Sequence, residues 1–225
     1  RPAAEGAPVQ EGDLLQTGAD GFLSIKTVDT GLFILRPNTK ARIVSYHIDS
    51  ANPVNTRIKL ELISGIARSK SGEAVKHARQ NFRFNTPVAA IGVRGTDFTV
   101  FTDQNTSRVS VISGGIVVSG FADACRPEGV GPCEGAASRE LSATQRGQLL
   151  QIRRGAAAPQ LLNGTVMTSD QPPLPEAAEA LGSTGGISGS TVAAPQTSIE
   201  VKRDDSIAQV ITQITAPPAP APAPA

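Results

Sequence analysis

The chain has 225 residues, enough for one domain of ordinary size plus tails, or for two small domains. Apolar residues make up 39% and aromatics only 4%, with no Trp, so a core must be built mainly from Val, Ile, Leu and Ala. Charge nearly cancels, at 21 basic against 20 acidic residues, and no basic stripe interleaved with aromatics suggests a nucleic-acid partner. No apolar run approaches the roughly 20 residues of a membrane-spanning helix. The sequence opens on Arg1 rather than Met, which is compatible with removal of a leader or anchor.

Residues 1–10 (RPAAEGAPVQ) read as a flexible lead-in. From 11 to 154 the chain is a succession of short extended segments separated by turn residues, and nine to twelve strands can be counted. In "RIKLELISGIARSK", Arg57, Lys59 and Glu61 alternate with Ile58, Leu60 and Leu62, the period of a half-buried strand. "SGEAVKHARQNF" is short enough for one or two helical turns within a loop between strands. Helical periodicity is otherwise nearly absent before residue 155, so the expected fold is all-β: a multi-stranded β-sandwich, roll or short solenoid.

Next comes "TPVAAIGVRGTDFTVFTD", whose alternation breaks. Ile91 and Val93 fall on one face of an extended chain, and Phe98 and Val100 on the other. Gly92 and Gly95 flank Arg94, and a β-bulge there would flip the facing of everything downstream. Arg94 is then expected beside the kink, with Asp97 or nearby carbonyls receiving its guanidinium. "ACRPEGVGPCEG" follows, with turn residues between Cys125 and Cys133. That spacing fits a disulfide in an oxidising compartment, the alternative being two reduced thiols. The two His residues, 47 and 77, are far from this pair in sequence, which argues against a zinc site.

After Gly155 the composition shifts to Pro, Ala, Gly, Ser and Thr, too few large apolar residues to offset the entropy of ordering. A largely disordered arm over 155–225 is therefore expected. Within it, Ile207, Val210, Ile211 and Ile214 recur at helical spacing behind Ser206, a candidate N-cap, giving a short helix near 206–214. The closing "APPAPAPAPA" reads as a polyproline-II tail.

Catalytic patterns fail along the whole chain. "GISGS" at 186–190 lacks the strand and helix of a nucleophile elbow, and "GVRGTD" lacks the Lys and following helix of a phosphate-binding loop. No enzyme, cofactor, metal or small-molecule substrate is expected.

The stretch "NTPVAAIGVRGTDFTV" resembles the signature of the FecR domain family, T-P-x-A-x-x-x-V-R-G-T-x-F-x-V. It supplies Thr86, Pro87, Ala89, Val93, Arg94, Gly95, Thr96, Phe98 and Val100, with Asp97 inside the motif. "EGDLLQTGADGFLSIKTVDTGLFILRPNTKARI", "SVISGGIVVSG" and "LSATQRGQLLQI" resemble its flanking strands, so the resemblance covers 11–154. Phe22 and Thr30 depart from the pattern, and the segment with Cys125 and Cys133 looks like an insertion. Membrane-bound members of the family also carry a sigma-factor-binding segment and one transmembrane helix, neither of which is read in this chain. The resemblance therefore implies the extracytoplasmic β domain alone. The function it suggests is a non-catalytic periplasmic module binding a protein partner of the cell envelope in signalling or sensing. The alternative is a structural or wall-associated scaffold that contacts peptidoglycan.

Overall fold

The computed structural model describes residues 4–122 and 124–164. The expected helix near 206–214, the polyproline tail and the rest of the arm from 165 onward lie outside the described residues, as do residues 1–3. Among the described residues there are thirteen strands and one α-helical turn, besides two 3-10 turns at Pro53–Asn55 and Arg79–Asn81. They are β1 (Leu14–Gln16), β2 (Leu23–Lys26), β3 (Leu32–Leu35), β4 (Lys40–His47), β5 (Arg57–Lys70), α1 (Ala74–His77), β6 (Phe82–Asn85) and β7 (Ala89–Val93). Then follow β8 (Asp97–Thr102), β9 (Thr106–Ser113), β10 (Gly115–Gly120), β11 (Arg139–Ser142), β12 (Gln148–Arg153) and β13 (Gln160–Asn163).

All thirteen belong to one curled sheet, a half-barrel with two wings that share β5. The first half of β5 pairs with β4 antiparallel and with β6 parallel, and the second half pairs antiparallel with β3 and β8. The first wing therefore runs β1-β4-β5-β6-β7-β10-β11, and the second runs β2-β3-β5-β8-β9-β12-β13. The last strand, β13, lies beyond residue 154, where composition alone placed the end of the folded domain. Its hairpin with β12 sets Leu162 opposite Leu149 and Leu161 opposite Leu150.

The core lies between the wings. Phe84 of β6 meets Phe33 of β3 and Phe98 of β8 edge to face, with ring centroids 6.1 and 5.5 Å apart, a geometry that the ring quadrupoles favour. Ile, Val, Leu and Ala side chains fill the rest, as the low aromatic content requires.

The change of wing inside β5 leaves a mark on its pattern. Ile58, Leu60 and Leu62 are buried in the first half, whereas Ala67 and Ser69 are buried in the second, so the inward parity switches between them. Gly65, at φ +97°, lies at that switch. A Cβ there would come within 2.5 Å of Thr39 Oγ1 and 2.7 Å of its Cα, so the position demands glycine for both conformation and space. Thr39 is itself buried, and its hydroxyl accepts from Ile66 N at 3.0 Å.

Candidate functional site

The parity break at Arg94 is of the same kind. It separates two strands in different wings: β7 pairs with β6 and β10, and β8 pairs with β5 and β9. Arg94–Gly95–Thr96 is thus a crossing between wings, where a bulge within one strand was expected. Gly95 turns the chain with φ +77°. A register shift does occur beside it, but on the partner strand: Asp97 and Phe98 face Ser113 and Val111, leaving Ile112 bulged out.

The neighbouring crossing, from β9 to β10, turns at Gly114, with φ +76°. The two corners touch so closely that a Cβ on Gly114 would lie 2.3 Å from the Gly95 carbonyl oxygen. Thr96 joins them. Its buried hydroxyl donates to the Gly115 carbonyl at 2.5 Å and accepts from Gly115 N and Arg94 N, each at 3.3 Å. Its carbonyl accepts from Ser71 N, tying in the chain just past β5.

The other end of the motif is stitched in a similar way. Thr86 opens the two-residue turn between β6 and β7, with half-buried Pro87 fixing its first central position. Thr86 N donates to Ala89 O, while its hydroxyl accepts from Ala89 N at 3.0 Å. Ser107 Oγ donates to Thr86 Oγ1 at 2.9 Å and lies 2.6 Å from Thr102 Oγ1, so a buried chain of hydroxyls links the wings. Val93 and Phe98 are both in the core.

The expected pairing of Arg94 with Asp97 is not what forms. Asp97 is buried and takes the guanidinium of Arg68, its neighbour across the sheet, through two bonds: Nε to Oδ1 at 2.8 Å and Nη2 to Oδ2 at 2.6 Å. That fork holds the Arg68 pKa above its ordinary value, burial opposing. Arg94 points the other way. Half exposed, it reaches Glu140 at 2.6 Å and Glu134 at 3.6 Å. The physical reason is parity: the crossing places Asp97 in line with β5, while Arg94 stays level with β11, which β10 brings alongside β7.

The buried cation of this region is Arg83, which sequence reading passed over. In "NFRFN" its alternation with Phe82 and Phe84 puts it on the outer face of the first wing. The segment from 121 to 138 folds back over that face. Cys125 and Cys133 are joined, with Cα atoms 5.7 Å apart, and Pro132 packs over Gly92. Arg83 Nε donates to Asn85 Oδ1, Nη1 to the Gly131 carbonyl and Nη2 to the Arg126 carbonyl at 2.5 Å. Lys59 is the register partner of Arg83; its Nζ donates to the carbonyls of Pro127 at 2.7 Å and Gly129 at 3.0 Å. Two like charges side by side would repel. Here the backbone oxygens of the disulfide-closed loop surround both. Burial pulls both pKa values below their ordinary range; Arg83 adds to this for Lys59, while Glu128 opposes it for each.

Another polar cluster ties the helical turn to the second wing. Asp29 Oδ1 accepts from Thr27 at 2.6 Å and from the Tyr46 hydroxyl at 2.9 Å, and its Oδ2 accepts from Ala74 N at the start of α1. Burial raises the Tyr46 pKa well above the usual phenol range. His47 and His77 are both exposed. Among the described residues no group of three or more His, Cys, Asp or Glu side chains is placed to hold a metal ion, and no helix is long and apolar enough to cross a membrane.

Two wings stitched by buried hydroxyls, with a disulfide-closed loop docked on one outer face, define an all-β module whose polar motif residues hold chain to chain. Residues 13–117 match the family described as FecR protein and form a FecR domain. The match runs from β1 into β10 and stops short of the disulfide loop. Two crystal structures of a candidate anti-sigma factor from Parabacteroides distasonis ATCC 8503, at 1.65 and 2.50 Å resolution, are similar in fold at a TM-score of 0.45 and 15% identity. The alignment covers 68% of this chain and 61% of that one, so it spans about three fifths of the relative's length. No curated protein matches the chain.

Proposed function

We propose that this chain is a non-catalytic, extracytoplasmic protein-binding module of the cell envelope that serves in signalling or sensing. The FecR match carries the reading, because it covers β1 to β9, strands that contribute to both wings. The disulfide agrees with an oxidising compartment. The ionisable groups of the motif also suit a scaffold: Asp97 is held by Arg68, and Arg94 lies against Glu140. A rigid sheet of this kind offers partners its free edges, β1, β2, β11 and β13, and its uncovered faces.

The test is a pull-down of the full chain from cross-linked envelopes, with mass spectrometry. One defined membrane or outer-membrane protein should be recovered. Sedimentation with purified sacculi in the absence of other proteins would overturn the reading in favour of the wall-associated scaffold.

A further inference from the structure

The two sulfurs of the disulfide-closed loop sit in unlike surroundings. Cys125 is 6% exposed, and its backbone is pinned: its N donates to Ala122 O at 2.9 Å and its carbonyl accepts from Ala122 N at 3.1 Å. Cys133 is half-buried, and its carbonyl accepts from the Ser119 hydroxyl at 2.8 Å. Beneath Cys125 lies the buried guanidinium of Arg83. Its Nη2, besides holding the Arg126 carbonyl, donates to Cys125 Sγ at 3.7 Å.

A disulfide sulfur is a weak acceptor for so strong a donor. A thiolate in the same place would take that donor far more firmly, because both partners would be charged. Lys59, the register partner of Arg83, brings a second cation to the site, and Glu128 is the carboxylate set against the pair. A cation beside a cysteine favours its thiolate, and a thiol that ionises readily is the better leaving group in disulfide exchange. Access and leaving ability therefore select the same route: attack on Cys133, with departure of Cys125.

We propose that the Cys125–Cys133 bond is a thiol–disulfide exchange site for a protein dithiol, opened at Cys133 with Cys125 as the leaving thiolate. One thiolate of the dithiol bonds to Cys133 Sγ. The Cys125–Cys133 bond breaks, and its electron pair stays on Cys125 Sγ beside Arg83. The second thiol of the dithiol gives its proton to solvent and attacks its own first sulfur, and Cys133 leaves as a thiolate that takes up a proton. Two electrons have then passed to this chain from the dithiol, which is now a disulfide. Run in reverse, Cys125 is the nucleophile that closes the loop. Opening the bond removes the covalent closure of the strap that sets Pro132 over Gly92, so the cover on the outer face of the first wing becomes redox-dependent. This chemistry is separate from the protein-binding reading above and stands or falls without it.

To test it, the oxidised full chain is exposed to reduced glutathione, quenched with iodoacetamide and mapped by mass spectrometry. Glutathione on Cys133 with alkylated Cys125 should exceed the reverse pairing at least tenfold. A second measurement reads the thiolate by its ultraviolet absorbance at neutral pH. Cys133→Ser should carry at least tenfold more thiolate than Cys133→Ser/Arg83→Met, and Cys133→Ser/Arg83→Lys, which keeps the charge, should hold most of it. If the serine variants do not fold, wild type, Arg83→Met and Arg83→Lys serve the same comparison after reduction by dithiothreitol and removal of the reductant. A bond that glutathione leaves intact, or glutathione found on Cys125 as often as on Cys133, would overturn the proposal. So would equal thiolate with and without Arg83, or a loss in Arg83→Lys as large as in Arg83→Met, which would trace the effect to packing instead of charge.

Discussion

Thr96 and Arg94 sit two residues apart in the motif, and the structure gives them unequal mechanical roles. The Thr96 hydroxyl is buried and holds two crossings together through three contacts. Replacing it with Val keeps the shape, leaves Arg94 N as the remaining donor to the Gly115 carbonyl and takes an acceptor from Gly115 N, a loss of about 1–2 kcal/mol. For a domain of this size, that lowers Tm by roughly 3–6 °C. The pairing of Arg94 with Glu140 is half exposed, and pairs of that kind contribute at most about 1 kcal/mol and fade with salt. Arg94→Ala should therefore move Tm by less than Thr96→Val does, and a thermal melt ranking them the other way would refute this assignment. Tyr46 adds a pH dependence. Its pKa is raised in the folded state, so its contribution is complete below about pH 10, the ordinary phenol value, and is lost as pH rises above it while the unfolded phenol ionises. Stability measured against pH should fall less steeply above that point in Tyr46→Phe than in wild type. An identical slope in the two proteins would exclude Tyr46 as the source.

At the scale of elements, the disulfide loop shows what a linear pattern reveals and what it hides. The spacing of Cys125 and Cys133 was readable, and so was the outward parity of Arg83 in β6. Nothing local told that 121–138 would return across four strands to bury Arg83 to 2% exposure, because the contacts bridge more than forty positions. The same limit explains Arg94: its neighbours in sequence named Asp97, but its partner came from β11 by way of sheet order. The loop is held twice, by the bond and by the cations beneath it. Closing so short a loop contributes about 2–3 kcal/mol in the chain-entropy picture, and each buried acceptor left bare costs about 1–3 kcal/mol. Reduction should raise proteolysis within 121–137 while the core strands stay folded. Arg83→Met should raise it there with the disulfide intact. Cleavage unchanged in Arg83→Met would show that the bond alone holds the loop.

For the whole molecule, alternation and turn spacing were enough to read an all-β fold, since they depend on which side chains face water. The pairing order was not readable, because β5 alone takes four partners drawn from residues 32 to 102. Yet "ELISGIARSK" carries the key: the inward parity changes at Gly65, where one strand passes from the first wing to the second. This makes Gly65 the test of how the halves cooperate. Gly65→Ala forces a side chain into φ +97° and against Thr39. The backbone conformation alone costs about 1–3 kcal/mol, and the clash adds to it. If β5 makes one folding unit of both wings, the loss must be felt by both. Hydrogen exchange should then show protected amides of β7 and β10 in one wing, and of β9 and β12 in the other, losing the same free energy of opening. The thermal transition should shift down as a single step. Loss confined to the strands of one wing would mean that each half is stable by itself and that β5 merely passes between them.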